Sequence, residues 1–221
     1  MLVLHGFPYS NYHNIVKHAL ILKGIEFEER ITYPGTPELL AVNPTGKVPA
    51  MTTAEGTLLG ESSVMVEYLE DAYPEQSLFP QDAEEKAKTR QIMKVAELYL
   101  ELSARRLLPF ALTKSAPPKE LVTEVRAVLD RGTRALTELA AFSPYVCGDK
   151  LTLADIYLRY ALSIPKLVGP VFLEWNVLES VEGLAQWDAL MASSEISQKI
   201  DADQASNAKE FMAYIAQQSK R

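Results

Sequence analysis

The sequence predicts an α/β front half joined to an all-helical back half, and three observations predict it. Strand and helix signals alternate through residues 1–80, and beyond Pro80 no convincing strand signal appears. Charge divides at the same place. Residues 1–80 carry four Lys/Arg against ten Asp/Glu, a net of −6, which leaves the remainder near −1 of the chain's −7. The front order, strand-helix-strand-helix-strand-strand-helix, can form one mixed sheet with helices on both faces, given a right-handed first crossover. A continuous αβ sandwich is the competing architecture, disfavoured because strand signals stop so abruptly.

Leu2–Leu4 is a short apolar strand ending at Gly6-Phe7-Pro8. Val16, Ala19, Leu20 and Leu22 fall at helical spacing, and Gly24 stops that helix as a left-handed C-terminal residue. Phe27 to Thr32 reads as a second strand. Thr36-Pro37-Glu38 starts a short helix, with Thr36 as cap and Pro37 at the first helical position. Two strands follow around Pro49 and Leu58, then a helix from Ser62 through Val66 and Leu69 to Tyr73-Pro74. Pro74 to Gln81 is a linker. Beyond it a long helical pattern runs from Asp82 to Leu112, kinked or ended by Pro109. A second covers Leu121 to Phe142, with Val122, Val125, Leu129, Leu136 and Leu139 inward and Gly132 tolerated at modest cost. A third begins at Thr152 and runs toward Pro165. Weaker ones cover Leu184–Met191 and Asn207–Gln218. The resulting domain division is 1–80 and 86–221.

Composition excludes several function classes. At 221 residues the chain can bury a proper core, as one large domain or two small ones. A net charge of −7 argues against nucleic-acid backbone binding and anionic membrane surfaces, since both need basic patches. No segment approaches the ~18 consecutive apolar residues needed to span a bilayer, and the N-terminus lacks a signal-peptide pattern. The single cysteine, Cys147, permits no internal disulfide and fits a reducing, cytoplasmic setting; it reads as buried packing. His5, His13 and His18 lack metal-ligand spacing, so no metal is expected. There is neither a Gly-rich phosphate loop nor an aromatic-basic interleaving for nucleic acid.

The most informative stretch is Asn43 to Ser63, NPTGKVPAMTTAEGTLLGESS. Pro49 in a strand-like context belongs at a strand start or an edge, or holds a cis bond. An edge strand can bind a peptide by adding it as a further strand. Ser62 is placed to cap a helix whose N-terminus would favour a carboxylate. Together these devices suit a small extended peptide with an anionic end; an ordinary turn-rich hairpin is the plain alternative. Further on, Thr152 and Asp155 have capping-box spacing, which gives Asp155 a structural role.

With GFPYSNYHNIVKHALILKGIEFEE, NPTGKVPAM, GESSVMVEYLEDAYP and GDKLTLAD in place, the chain resembles the cytosolic glutathione S-transferase family, of bacterial serine-type character with its class unassigned. The resemblance covers nearly the whole chain. It implies an α/β thioredoxin-like N-terminal domain binding glutathione and an all-α C-terminal domain for the second substrate and dimerisation. By the matched motifs, Ser10 resembles the hydroxyl that stabilises the glutathione thiolate, with Asn11 as runner-up and Tyr9 or Tyr12 as substitutes. Val48 resembles the residue whose backbone pairs with the cysteinyl part, and Pro49 the cis-proline. Glu61 and Ser62 resemble the pair at the γ-glutamyl end, and Lys47 is a candidate for the glycyl carboxylate. The loop TYPGTPELL offers no cation where many relatives keep one. A tyrosine-type donor would fall near Gly6, which has no side chain, and a cysteine-type one is absent.

The implied function is conjugation of the glutathione thiolate, as cosubstrate, to small hydrophobic electrophiles by a homodimer. The second substrate is expected between the halves, against Phe7, Pro8, Tyr99, Arg105 or Arg106. The resemblance equally accommodates a glutathione-dependent isomerase, reductase or peroxidase, or a non-catalytic protein-binding module. Retained Ser10, Val48-Pro49 and Glu61-Ser62 favour the enzyme.

Overall fold

A computed structural model describes residues 1–218 of the chain. They form two compact units: Met1–Ser77 together with the segment from Ser193 onward, and Leu78–Ala192.

The first unit is built on strands β1 (Leu2–Gly6), β2 (Phe27–Ile31), β3 (Ala50–Thr52) and β4 (Leu58–Gly60), in the order β2-β1-β3-β4. β1 and β2 are parallel; β3 runs antiparallel to both β1 and β4. Helices α1 (Asn11–Leu22), α2 (Pro37–Val42) and α3 (Ser62–Ala72) fall between and after the strands. α1 ends in the manner the sequence signals. Gly24, at φ 65°, follows the Lys23 cap, and the Ile25 and Gly24 N–H groups bond back to the Leu20 and Ile21 carbonyls, each at 3.0 Å. Thr36 caps α2 by accepting from the Leu39 N–H, with Pro37 in the first turn. Leu4, Ile15, Leu20, Met51, Met65 and Leu69 fill the core between sheet and helices. Its outer edge is ionic: Lys23, buried, donates to Glu70 and to the Gln76 carbonyl, each at 2.8 Å.

The second unit contains α4 (Ala83–Val95), which continues through a π-helical segment (Ala96–Glu101) into α5 (Leu102–Arg105). Then come α6 (Leu108–Thr113), α7 (Lys119–Leu139), α8 (Leu153–Ala161), α9 (Ser163–Phe172) and α10 (Leu184–Ser193). All of α8 is buried, as expected of a helix apolar on most sides. Its start carries the predicted capping box, and the Asp155 carboxylate also receives the Val146 N–H and the Trp187 indole N–H. Among the described residues this unit has no strand, only a bridge between Tyr145 and Gly148.

Several expectations need correction. The long helix breaks at Arg106-Leu107, before Pro109, which sits harmlessly in the first turn of α6 where no intrahelical donor is needed. The third helix stops at Ala161 and a further helix, α9, follows it; Pro165, a terminator by local rules, lies in the first turn of α9. Gly132 has a packing reason beyond helix propensity, since a Cβ would lie 2.7 Å from Leu100 Cδ2 and 3.0 Å from Tyr99 Cβ, where α7 meets the π-helical segment, and these side chains would have to shift. Cys147 is exposed, its sulfur 3.7 Å from the Thr89 hydroxyl. The last helix, α11 (Glu195–Gln218), begins twelve residues before Asn207 and groups with the first unit, whereas the sequence placed residues 86–221 together. α11 packs against α1, where Lys17 bonds Asp203 at 2.8 Å.

Candidate active site

The sheet register brings the candidate residues to one end of the first unit. Gly6 at the C-terminal end of β1 pairs with Ile31, and its neighbour His5 pairs with Ala50, which in turn pairs with Gly60. The end of β1, the start of β3 and the end of β4 are therefore adjacent. From those three points the chain leads to Ser10, back to Val48-Pro49, and on to Glu61-Ser62.

Ser10 is the N-cap of α1, its hydroxyl accepting the His13 N–H at 3.3 Å, and is only half-buried. Accepting that bond leaves the hydroxyl hydrogen available to donate elsewhere. Asn11, the first residue of α1, is buried. The Val48-Pro49 bond is cis. Of the three alternatives for Pro49 the cis bond and the strand start hold and the edge does not: β3 is an interior strand whose ladder begins only at Ala50. Val48 precedes it and makes no main-chain hydrogen bond among the described residues. Lys47 is exposed, and its carbonyl is held by the Asn43 side chain at 2.8 Å. Ser62 is buried as the first residue of α3; the N-cap is Glu61, correcting the assignment of the cap to Ser62. Glu61 has φ 63° and ψ 122° and its side chain makes no capping bond. Such a conformation costs a non-glycine residue about 1–3 kcal/mol and is held where the surroundings demand it.

Known proteins resemble this chain over most of its length. Residues 4–77 match the family model for the glutathione S-transferase N-terminal domain, and residues 74–195 that for the C-terminal domain. A Pseudomonas putida protein named glutathione S-transferase is 37% identical over 97% of this chain and 98% of its own. The chain belongs to the glutathione S-transferase family. A Pseudomonas aeruginosa maleylacetoacetate isomerase is 28% identical, covering 77% of this chain and 84% of that one. A crystal structure of a glutathione S-transferase from Rhodospirillum rubrum superposes with a TM-score of 0.72 at 26% identity, covering 90% of this chain and 91% of that one. The protein is thus a glutathione transferase, with isomerases among its relatives.

Other features of this transferase were not legible in its sequence. The bare Cα of Gly6 is explained by His13, whose imidazole Nδ1 occupies the space a Cβ would need. His13 is wholly buried, and burial pushes its imidazole below the ordinary value, only partly offset by Glu29. The neutral ring donates from Nε2 to Glu29 Oε1 at 2.8 Å, and Lys17 meets Oε2 at 2.7 Å. Burial raises the Glu29 carboxyl, but the bonds from His13 and Lys17 outweigh it and hold the group at about 2. Phe7, expected to face the second substrate, is buried with its ring stacked on Tyr33 and Phe211. In the second unit Tyr99 is exposed, Arg105 pairs with buried Glu101, and Arg106 pairs with Glu124. Although Cys147 as a residue is exposed, partial desolvation of its sulfur beside Thr89 pushes the thiol up, away from the reactive thiolate form. Among the described residues no cluster of potential metal ligands occurs, and no helix is long and apolar enough to cross a membrane.

Proposed function

We propose that this transferase binds glutathione at the shared end of β1, β3 and β4 and adds its thiolate to small hydrophobic electrophiles. The observation that carries the reading is the convergence there of a half-buried hydroxyl, an unpaired main-chain stretch and an uncapped helix start. Val48 would pair with the cysteinyl backbone. The first turn of α3, with Glu61 and Ser62, would receive the γ-glutamyl end, the helix dipole favouring its carboxylate. Lys47 is assigned to the glycyl carboxylate. Ser10 donates its hydroxyl hydrogen to the sulfur. An ordinary thiol ionises near 8.5, and each unit by which a donor lowers that value is worth about 1.4 kcal/mol and roughly tenfold more nucleophile. The thiol proton leaves to solvent, the sulfur lone pair forms the S–C bond, and the electrophile's leaving group departs with the C–X pair.

Ser10→Ala should lower kcat/KM by roughly ten- to a thousandfold with little change in glutathione affinity, because the hydroxyl acts on ionisation rather than on binding at large. Full activity of Ser10→Ala between about pH 6 and 8 would reduce Ser10 to a helix cap, and Asn11→Ala would then be the next variant. The same thiolate serves a cis–trans isomerase, a reading favoured by the similarity to the maleylacetoacetate isomerase. Halide-displacement and double-bond isomerisation assays run side by side separate the two.

A homodimer in a cytoplasmic setting completes the proposal. Arg90 is stacked over Phe79, and Arg105 and Arg106 have carboxylate partners, so charge attraction between unlike halves is a weak motive. Exposed apolar side chains supply a better one: Leu58 and Val64 in the first unit, and Leu98, Tyr99 and Leu102 in the second. Light scattering giving about 25 kDa, the mass of one 24.6 kDa chain, would exclude the dimer.

A further inference from the structure

The turn that carries the chain from β1 to Ser10 is not held by its own neighbourhood alone. The Ser10 N–H bonds the Phe7 carbonyl at 3.0 Å, closing a four-residue turn with Pro8 and Tyr9 at its centre. The central peptide, Pro8–Tyr9, is gripped at both ends. Its carbonyl accepts from Asn14 Nδ2 at 2.9 Å, and its N–H donates to Asn207 Oδ1 at 3.3 Å. Asn14 belongs to the adjoining helix α1, whereas Asn207 lies 198 residues from Tyr9 in the C-terminal helix. Asn207 is 8% exposed, and its Nδ2 donates to the Tyr33 hydroxyl and to Glu210, each at 3.2 Å.

An aromatic stack covers the same turn. The Phe211 ring lies 4.6 Å from Tyr9 and 5.4 Å from Phe7; Phe7 stacks on Tyr33 at 4.8 Å, and Tyr33 on Tyr214 at 4.7 Å. Tyr214 also donates to the Pro34 carbonyl at 2.9 Å. The common turn types differ chiefly by rotation of the central peptide, and that rotation changes how the chain enters the following residue. With both polar atoms of the Pro8–Tyr9 peptide bonded, the rotation would break two hydrogen bonds.

We propose that Asn207, seated by Phe211, is a positioning residue for Ser10: it fixes the Pro8–Tyr9 peptide and so aims the Ser10 hydroxyl at the glutathione sulfur. The inference rests on the thiolate role proposed above for Ser10. The C-terminal helix then sets the fraction of bound glutathione that is ionised without touching the tripeptide. Glutathione affinity, carried by the β3 and α3 segments, should stay near wild type when Asn207 is changed.

The test is the pH profile of kcat/KM, with glutathione affinity measured by calorimetry and folding by circular dichroism. Asn207→Ala should lose roughly three- to tenfold near pH 6.5 and converge on wild type near pH 9, where the thiol ionises unaided. Met212→Ala, on the exposed side of the same helix, should follow wild type. Phe211→Leu should shift the profile in the direction of Asn207→Ala, and it carries the test if the latter fails to fold. A folded Asn207→Ala, or Phe211→Leu in its stead, whose profile overlays wild type while Ser10→Ala is depressed would overturn the positioning role alone. If Ser10→Ala itself overlays wild type, the role assigned to Ser10 falls, and this inference with it.

Discussion

Asp155 offers the sharpest test of what holds the helical unit together. Its side chain is fully buried and accepts four hydrogen bonds. Oδ1 receives the Val146 N–H and Trp187 Nε1, both at 2.8 Å; Oδ2 receives the Thr152 N–H at 2.8 Å and its hydroxyl at 3.1 Å. Burial pushes the carboxyl up from its ordinary value, and these donors pull it back only in part. Asp155→Ala would strand all four donors in the interior. Each stranded donor costs about 1–3 kcal/mol, but the four are clustered and can relax together, so their sum overstates the loss. Removing the desolvated carboxylate also returns part of its burial cost. The net expectation is a destabilisation of about 3–5 kcal/mol, at the upper end for single substitutions. Asp155→Asn retains one acceptor and the volume while turning an NH2 toward two donors, and should lose about half as much. Thr152→Ala removes only the cap, about 1 kcal/mol.

Urea unfolding at fixed protein concentration, followed by tryptophan fluorescence, reads this directly because the Trp187 indole is one of the four donors. Activity per folded molecule at low temperature should remain near wild type, since the role is structural. Asp155→Ala unfolding within about 1 kcal/mol of wild type would refute the argument, because it would mean that four buried donors can be abandoned at little cost.

Three further outcomes are expected. Gly169→Ala should destabilise by about 1–3 kcal/mol in thermal unfolding despite the better helix propensity of alanine. The added Cβ would lie 2.6 Å from the Trp175 carbonyl oxygen, main chain that cannot swing aside. Glu61→Ala should weaken glutathione binding by about 1–3 kcal/mol in calorimetry without gain in stability. Glu61→Gly should weaken it similarly yet unfold no earlier than wild type, because glycine accepts φ 63° without strain. Glu29 is held at about 2 against an ordinary value of 4.5, so it is ionised in the folded chain at a pH where the unfolded chain binds a proton. Its contribution is complete above the ordinary value and lost as pH falls from there toward about 2. The urea midpoint of wild type should therefore drop more between pH 6 and pH 3 than that of Glu29→Gln; parallel declines would show the pair to be ineffective.

The sequence by itself determined the order of elements from β1 to α3, the Gly24 stop of α1, the caps of α2 and α8 and the short motifs of the candidate site, because each depends on neighbours a few residues apart. Gly24 ends α1, Thr36 and Pro37 open α2, and Thr152 with Asp155 opens α8 through forces acting within a helical turn. Tertiary structure decided what lies across space. No local rule shows that Pro109 and Pro165 stand in first turns, where a missing N–H costs nothing. Nor could the interior place of β3, the fit of His13 into the space beside Gly6, or the close packing of α7 at Gly132 be read locally. The C-terminal helix makes the point most fully. Asn207, Phe211 and Tyr214 stand at i, i+4 and i+7, a spacing that announces a packed face. Periodicity gives the face but not its partner. That the face meets the turn before Ser10 follows only from the folded chain, because burial of aromatic surface carries no direction along the sequence.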